Sequence, residues 1–138
     1  MNKLKVPVEE FTTPDPVTSI EEASLEKLGQ IMSEFGVRHI PIVRGDSVVG
    51  IVSDRDLRVV SCLSAQEKKL LRASDIMVAD PVTVSANSSL EEVAFQMSEK
   101  KIGSVIVNDD SDNLLGIFTV TDALNALIEI ARTSQVGR

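Results

Sequence analysis

Two short motifs in the sequence pair a hydroxyl residue with an aspartate three positions later. They are Ser53-x-x-Asp56 and Thr119-x-x-Asp122, and each follows a glycine and a short apolar run. An ionised aspartate only accepts hydrogen bonds, so it can take both O–H donors of a ribose diol. A helix that begins beside it offers free N–H groups and positive potential to a phosphate. The motifs therefore suit the binding of a nucleotide.

The same two motifs also have the spacing of a helix capping box, with aspartate in the place of glutamate. In that interpretation the hydroxyl accepts from a backbone N–H of the first turn, and the carboxylate accepts from the N–H of the cap residue. The two roles are compatible, because a cap in the empty protein can become a ligand contact. The sequence leaves both roles open for each motif.

The composition favours a soluble globular protein and argues against several classes of partner. Of 138 residues, 43% are apolar and 25% are charged, and the net charge of −7 disfavours a DNA or RNA surface. There is no Trp or Tyr to stack on bases. No apolar run is long enough for a membrane span, and the N-terminus lacks a signal-peptide apolar region. The single cysteine, Cys62, excludes an internal disulfide, so we expect a cytoplasmic protein.

Enzymatic and metal-binding constellations are missing from the sequence. His39 is the only histidine, so a zinc site or a histidine-dependent triad lacks its partners. The acidic stretch Asp109–Asn113 lacks the glycine and glutamate of a calcium loop. There is no Gly-Lys-Ser/Thr phosphate loop. We therefore predict that the chain is not an enzyme, holds no metal and requires no cofactor.

A repeat organises the chain. Asp15-Pro16-Val17-Thr18 returns as Asp80-Pro81-Val82-Thr83, an offset of 65 positions (83 − 18). One extra residue in the second polar turn moves the offset to 66 (116 − 50) between Gly50 and Gly116. Each copy reads as β-α-β-β-α, with a size of about 55–60 residues that buries little core alone. We expect the copies to pack together as a pseudo-two-fold α+β module with two equivalent clefts between the halves, where a ligand would bind.

The predicted boundaries follow from turn and helix signals. We expect very short first strands at 17–18 and 82–83, and helices that begin near Ser24, Ser53, Ser64, Ser88 and Thr121. The last helix is predicted to end near Ala131. The predicted segments are an N-terminal arm at 1–11, repeat 1 at 12–61, a linker helix at 62–74, repeat 2 at 75–131 and a tail at 132–138.

The sequence resembles a tandem cystathionine-β-synthase (CBS) domain pair, also called a Bateman module. The resemblance covers about residues 12–131, nearly the whole chain. Each matching piece is short, but two ordered sets at a constant offset are specific. The matching stretches in the first half are Asp15–Thr18, His39–Val43 and Gly50–Leu57, and those in the second half are Asp75–Met77, Asp80–Thr83, Gly103–Val107 and Gly116–Asp122.

This resemblance implies a small-molecule sensor rather than an enzyme. Similar modules bind adenosine nucleotides such as AMP, ADP or ATP, and others bind S-adenosylmethionine, NAD or cyclic dinucleotides. Such a module would modulate a regulated protein that the sequence does not identify. Modules of this kind usually pair into disc-like homodimers, which would bury apolar helix residues between chains. The residues expected there are Leu57, Val60, Leu124, Leu127 and Ile128.

The resemblance also assigns candidate ligand contacts by position. Asp56 and Asp122 would accept from ribose hydroxyls, and Ser53 and Thr119 would touch ribose or phosphate. Strand backbone would meet the base edge, and aliphatic side chains such as Val17, Ile40, Val82 and Val105 would flank the base. The remaining candidates are Thr18 and Thr83 as pocket lining, His39, Ile40, Pro41, Ser104, Val105 and Ile106 as base-edge strand residues, and Arg38, His39, Arg55 and Arg58 as phosphate partners, with Thr121 at the position of Arg55.

The two copies differ in local charge. Arg55 is replaced by Thr121, and His39 by Ser104, so the cations lie in the first copy. We therefore expect unequal occupancy of the two clefts. The alternative function is a ligand-free homodimerisation or scaffold module.

Overall fold

The computed structural model describes residues 5–136, with side chains as far as Thr133. The outermost residues of the predicted arm and tail lie outside this range. The chain forms two compact units, which we call the first unit (residues 16–81) and the second unit (residues 5–15 with 82–136). Each contains the β-α-β-β-α order, so the predicted α+β class with two related copies is confirmed.

The first unit is a four-stranded sheet in the order β2-β3-β4-β5 with helices packed on it. Strands β2 and β3 are parallel, and the other neighbours are antiparallel. Its strands are β2 (Ser19–Ile20), β3 (His39–Arg44), β4 (Ser47–Ser53) and β5 (Val78–Ala79). Its helices are α1 (Leu25–Phe35), α2 (Asp54–Val59), α3 (Ala65–Leu70) and α4 (Ala73–Ile76), with a 3-10 turn at Val60–Cys62.

The second unit repeats this arrangement with the chain's first strand at its edge. The sheet order is β1-β8-β7-β6, with β6 parallel to β7. A 3-10 turn at Val8–Phe11 precedes β1. The strands are β1 (Thr13–Pro14), β6 (Thr83–Ser85), β7 (Ser104–Asn108) and β8 (Leu114–Thr119). The helices are α5 (Leu90–Lys100) and α6 (Val120–Val136).

Alternating strand residues and one helix face build each core. In the first unit Leu28 and Ile31 from α1 pack with Ile40, Ile42 and Val52 from the sheet. In the second unit Val93 and Met97 from α5 pack with Val105, Val107 and Phe118 from the sheet. The three-and-four spacing on the helices and the two-residue spacing on the strands place these side chains on facing surfaces.

The segment that leads into each repeat packs on the unit built from the other repeat. Val8 in the arm and Ala73 before β5 lie 65 positions apart, and both are fully buried. The Val8 N–H donates to Ser88 O at 2.8 Å, and the Ala73 N–H donates to Ala23 O at 2.8 Å. The arm therefore completes the second unit, and the linker completes the first.

Four predicted boundaries shift in the structure. The first short strand forms at 19–20 rather than 17–18, next to the β3 residues that pair with it. The cap of α5 is Ser89, which accepts from the Glu92 N–H, and not Ser88. The linker predicted as one helix at 62–74 contains the end of a 3-10 turn, α3 and the start of α4, because the backbone is extended at Leu71 and Arg72 between the two helices. Helix α6 continues beyond Ala131 to Val136.

Candidate functional site

The first hydroxyl–aspartate motif forms a complete capping box. Ser53 ends β4 and caps α2 with extended backbone (φ −104°, ψ 164°). Its hydroxyl accepts from the Asp56 N–H at 3.2 Å, and its own N–H donates to Asp56 Oδ2 at 2.8 Å. The capping interpretation is therefore correct for this motif. The other carboxylate oxygen, Asp56 Oδ1, forms no hydrogen bond with a residue that the structure describes.

The second motif forms the same box and then adds a further contact. The Thr119 N–H donates to Asp122 Oδ2 at 2.9 Å, and the Thr119 hydroxyl lies 3.1 Å from the same oxygen. The Thr13 hydroxyl on β1 donates to Asp122 Oδ1 at 3.1 Å. Both oxygens of Asp122 are therefore engaged by the protein.

Strand register explains why the two aspartates differ. Thr13 pairs with Ile117 on β8, and Val78 pairs with Ile51 on β4, so Thr13 and Val78 occupy equivalent places. Valine has no hydroxyl to donate. The equivalent of the Thr13 contact therefore cannot form at Asp56, and one carboxylate oxygen of the first motif stays available.

Register also brings two predicted strand residues beside the caps. His39 lies opposite Ser53, and Ser104 lies opposite Thr119. His39 and Ser104 are both half-buried. Two candidate contacts are thus neighbours in each unit, at the strand end where the following helix begins.

The cations cluster at the first cap. Arg55 and Arg58 lie on α2 and are exposed, and Arg38 is exposed directly before β3. The Asp54 N–H donates to Arg38 O at 2.9 Å, which holds the start of α2 against the start of β3. In the second unit the exposed Thr121 takes the place of Arg55. The first unit therefore exposes an arginine where the second unit exposes a neutral threonine.

The base-edge strand residues are buried. Ile40 and Val105 lie inside the two cores with no exposed surface, so their side chains cannot flank a ligand and only their backbone atoms remain for contact. Pro41 and Ile106 are also buried. The Ile106 N–H donates to Val82 O at 2.9 Å.

Proline at the equivalent position changes the first unit. Pro41 has no N–H, so it cannot donate to Val17 O as Ile106 donates to Val82 O. The half-buried stretch at Val17 and Thr18 has no regular secondary structure, whereas the exposed Thr83 begins β6. The first unit therefore has a backbone acceptor that lacks the donor found in the second unit.

The sequence reading missed Thr13 as a site residue. A threonine followed by Pro14, Asp15 and Pro16 is typical of a turn, and the hydrogen-bond partner of Thr13, Asp122, lies 109 positions away in the sequence. The only available signal was a hydroxyl residue at 13 where the repeat has Val78 at the equivalent position. A strict alignment of the two copies from residue 5 onwards would have revealed that difference.

Among residues 5–133, no group of three or more His, Cys, Asp or Glu side chains could hold a metal ion. Within the described part of the chain, none of the helices combines the length and apolar character needed to cross a membrane.

A family model for the CBS domain matches the chain twice, at residues 8–61 and 73–129. An inosine-5'-monophosphate dehydrogenase of Korarchaeum cryptofilum is 32% identical over 114 residues, which cover 83% of this chain and 23% of the relative. A CBS domain-containing protein of Dictyostelium discoideum is 26% identical and is covered over 94% of its length. The chain thus spans less than a quarter of the dehydrogenase that it matches.

Solved structures share the fold. A Vibrio cholerae protein assigned as the acetoin utilization protein AcuB is 31% identical with a TM-score of 0.80, and the match covers 96% of this chain and 98% of that one. CBSX2 in complex with AMP is 26% identical with a TM-score of 0.78, over 91% and 98% of the two chains. The CBS domain of a bacterial CNNM/CorC family Mg2+ transporter, in complex with ATP, is 25% identical with a TM-score of 0.81, over 91% and 89%.

Proposed function

The chain belongs to the CBS domain family, and from that premise we propose that it is a regulatory module that binds an adenosine nucleotide. The ligand is AMP, ADP or ATP, and the Ser53–Asp56 cap of the first unit is its main attachment. S-adenosylmethionine, NAD and cyclic dinucleotides are the weaker candidates. The module acts in the cytoplasm by modulating another protein, and it catalyses no reaction itself.

One observation carries this proposal: Asp56 keeps an oxygen free while it caps α2. Oδ2 accepts from the Ser53 N–H, and Oδ1 has no partner among the described residues. A ribose hydroxyl can donate to Oδ1 without breaking the cap, so binding would not cost helix stability. The capping role and the ligand role then coexist in one side chain.

Charge and backbone chemistry support the same unit. Exposed Arg55 and Arg58 lie within one turn of Asp56 and could pair with phosphate oxygens. The Val17 carbonyl, which lacks the donor that Ile106 gives Val82, could accept from an exocyclic amine such as that of adenine. The ribose would then bind Asp56, the phosphate would bind the two arginines, and the base would bind the Val17 carbonyl.

The similar structures support the ligand class. CBSX2 is described in complex with AMP, and the transporter's CBS domain in complex with ATP. The CBS domain pair of protein MJ0100, 26% identical with a TM-score of 0.75, is described with 5'-methylthioadenosine and S-adenosyl-L-methionine. These ligands share an adenosine group, which is the part that Asp56 and Val17 would contact.

Isothermal titration with AMP, ADP, ATP, NAD and S-adenosylmethionine tests the proposal. We expect Asp56→Asn to weaken adenosine-ligand binding about tenfold or more, because the amide nitrogen cannot accept a ribose hydroxyl. Asp122→Asn should weaken it far less. The absence of Trp and Tyr also makes a co-purified nucleotide visible by its absorbance at 260 nm.

A third capping box provides the matched control. Ser64 caps α3, and its N–H donates to Glu67 Oε1 at 3.0 Å. Neither residue is a candidate ligand contact. Glu67→Gln should leave ligand affinity unchanged. If no adenosine compound binds the parent protein, or if Asp56→Asn binds as tightly as the parent, the proposal is wrong.

A second candidate function is a ligand-free homodimeric scaffold, which the surface of α6 favours. Leu124, Leu127 and Ile128 are 54%, 59% and 46% exposed and lie at three-and-four spacing. Sedimentation velocity should show a dimer that Leu127→Glu dissociates. Leu70→Glu, at an 81% exposed position on α3, is the matched control. A monomeric parent protein would exclude this candidate.

A further inference from the structure

A groove opens on the first unit between the start of α1 and the segment that runs from α2 through α3. Its volume is about 690 Å³. Small-molecule sites fall in the range of roughly 300–1,000 Å³. Its lining comes from α1, the end of α2, the 3-10 turn after it, and α3. None of the candidate nucleotide contacts lines it, so it is separate from the site proposed above.

The groove has an apolar floor. Leu25 on α1 and Leu57 and Val60 at the end of α2 line it, and all three side chains are half-buried. Leu25 and Leu57 pack on the core of the first unit with one side and face the groove with the other. A flat apolar body placed here would remove this surface from water.

Three cations border that floor on one side. Lys68, Lys69 and Arg72 line the groove, against one carboxylate, Glu26. The Glu26 carboxylate accepts from Gln30 Nε2 at 3.5 Å. The side chains of Lys68 and Lys69 form no ion pair or hydrogen bond with any residue that the structure describes. A cluster of unneutralised cations stands out in a chain of net charge −7.

Gly29 gives an independent reason to expect an occupant. It lies in the middle of α1 and lines the groove. Glycine inside a helix is unfavourable relative to alanine, and the second unit has Ala94 at the equivalent position. A Cβ atom built on Gly29 would meet nothing within 4 Å, so no packing contact requires a glycine. Its absent side chain instead keeps the groove open against the helix backbone.

We infer that this groove binds a small organic anion with an apolar body. The apolar part lies on Leu25, Leu57 and Val60 beside Gly29, and the anionic group faces Lys68, Lys69 and Arg72. The size of the groove favours a small molecule over a protein partner, because eleven residues line it and a stable protein interface takes roughly 20–30 residues from each side. Binding here gives the module an input that is independent of its nucleotide.

The probe for this site is 8-anilinonaphthalene-1-sulfonate, an aromatic body with one sulfonate. The protein contains no Trp, so the fluorescence of the bound probe can be followed without transfer from indole. We expect saturable binding with one site per chain. N-phenyl-1-naphthylamine, which has the same rings without the sulfonate, should bind about tenfold more weakly, because it gains nothing from the cations.

Two variants test the geometry. Gly29→Leu fills the groove and replaces an unfavourable helix residue, so it should abolish saturable probe binding while the unfolding midpoint stays equal or rises. Lys68→Gln with Lys69→Gln should weaken the sulfonate probe about tenfold and leave the uncharged probe unchanged. The matched control is Lys100→Gln with Lys101→Gln, an exposed lysine pair at the end of α5 that should change neither. Asp56→Asn should also leave probe binding unchanged.

Each contrary result overturns the inference. Unaltered probe binding in Gly29→Leu would mean that the probe sits elsewhere. Equal loss in the Lys100/Lys101 control would mean that only overall charge matters. A change of sedimentation coefficient in Gly29→Leu would identify the groove as a contact between copies of the chain. A change of probe binding in Asp56→Asn would show that the groove and the nucleotide site are one site.

Discussion

The two hydroxyl–aspartate capping boxes, at Ser53–Asp56 in the first unit and Thr119–Asp122 in the second, have the same spacing and share their cap hydrogen bonds. They differ in whether the second carboxylate oxygen is available to a ligand. Asp56 and Asp122 both accept from the N–H of the residue that caps the helix. Asp122 also accepts from Thr13, whereas the equivalent strand residue beside Asp56 is Val78. The difference is a single hydroxyl on a neighbouring strand, and it decides whether a carboxylate is left for a ligand.

This contrast shows that the spacing of the motif predicts the geometry of the helix cap. Neighbouring residues determine whether the aspartate can also bind a ligand. Both motifs fold as the repeat predicts, because a hydroxyl and a carboxylate at this spacing satisfy free N–H groups at a helix start. Whether either can also bind depends on residues far away in the sequence.

The edge strand of each sheet pairs with a glycine: β1 pairs with Gly116 on β8, and β5 pairs with Gly50 on β4. The two glycines should tolerate substitution differently. A Cβ on Gly116 would collide with the Thr13 carbonyl and lie 2.6 Å from Thr12 Cγ2, whereas a Cβ on Gly50 would collide with the Met77 side chain. Backbone in a paired strand cannot yield as a methionine side chain can. We expect Gly116→Ala to lower the free energy of unfolding by about 2–4 kcal/mol and Gly50→Ala by about 1 kcal/mol.

Urea unfolding followed by far-UV circular dichroism measures both values. Gly103→Ala is the control, since a Cβ there meets nothing within 4 Å. An equal decrease in the free energy of unfolding for Gly116→Ala and Gly50→Ala would contradict this prediction. It would show that the β1 backbone moves away from a new Cβ as readily as the Met77 side chain does.

Exchanging Thr13 and Val78 between the two edge strands should exchange which aspartate has a free carboxylate oxygen. Val78→Thr places a hydroxyl where it can donate to Asp56 Oδ1, so a nucleotide must displace a hydrogen bond worth about 1 kcal/mol, and its affinity should fall about fivefold. Thr13→Val removes the donor to Asp122 and should lower the free energy of unfolding by about 0.5–1 kcal/mol without weakening the first site.

Titration calorimetry on the two single variants and on the double exchange checks this prediction. The unfolding free energy of Val78→Thr should rise by about 0.5–1 kcal/mol, because the new hydrogen bond mirrors the one that Thr13→Val removes and the exposed position tolerates a hydroxyl. Unchanged nucleotide affinity in Val78→Thr would remove the proposed reason for the difference between the units.

The smallest expected effect concerns an ion pair that only the first unit can form. Arg44 donates to Glu21 at 2.8 and 2.9 Å, and the second unit has Ala86 at the position equivalent to Glu21. The hydrogen bonds from Arg44 lower the pKa of Glu21 below its ordinary value of 4.5. A lowered carboxyl pKa stabilises the folded protein above pH 4.5, and that contribution is lost as the pH falls through the folded-state value.

Glu21→Gln should therefore be slightly less stable than the parent at neutral pH, and the two should converge in acid. Thermal unfolding midpoints measured from neutral pH downwards give the comparison. Glu34→Gln, at an exposed position on α1, is the control. A constant difference between parent and Glu21→Gln at every pH would rule out the pair as its cause.

Local patterns were enough to predict much of the fold. Helix α1, the hairpin of β3 and β4 and the cap at Ser53 all follow from spacing within about ten residues, where periodicity and capping are informative. The contact between Thr13 and Asp122 crosses 109 positions, and no local signal connects them. The buried place of Val8 was missed for the same reason, because an isolated valine in a charged arm has no periodic neighbours.

Each unit includes the segment that leads into the repeat of the other unit. The ends chosen for a fragment of this chain therefore decide whether the fragment contains a complete core. A fragment that follows the repeat, such as 8–61, would carry Val8 without the core that buries it and would lack Ala73, which fills its own core. A fragment of residues 16–81 contains every strand of one sheet. Because the second unit is assembled from both ends of the sequence, its single-chain equivalent is a permutant in which residues 82–136 precede residues 5–15.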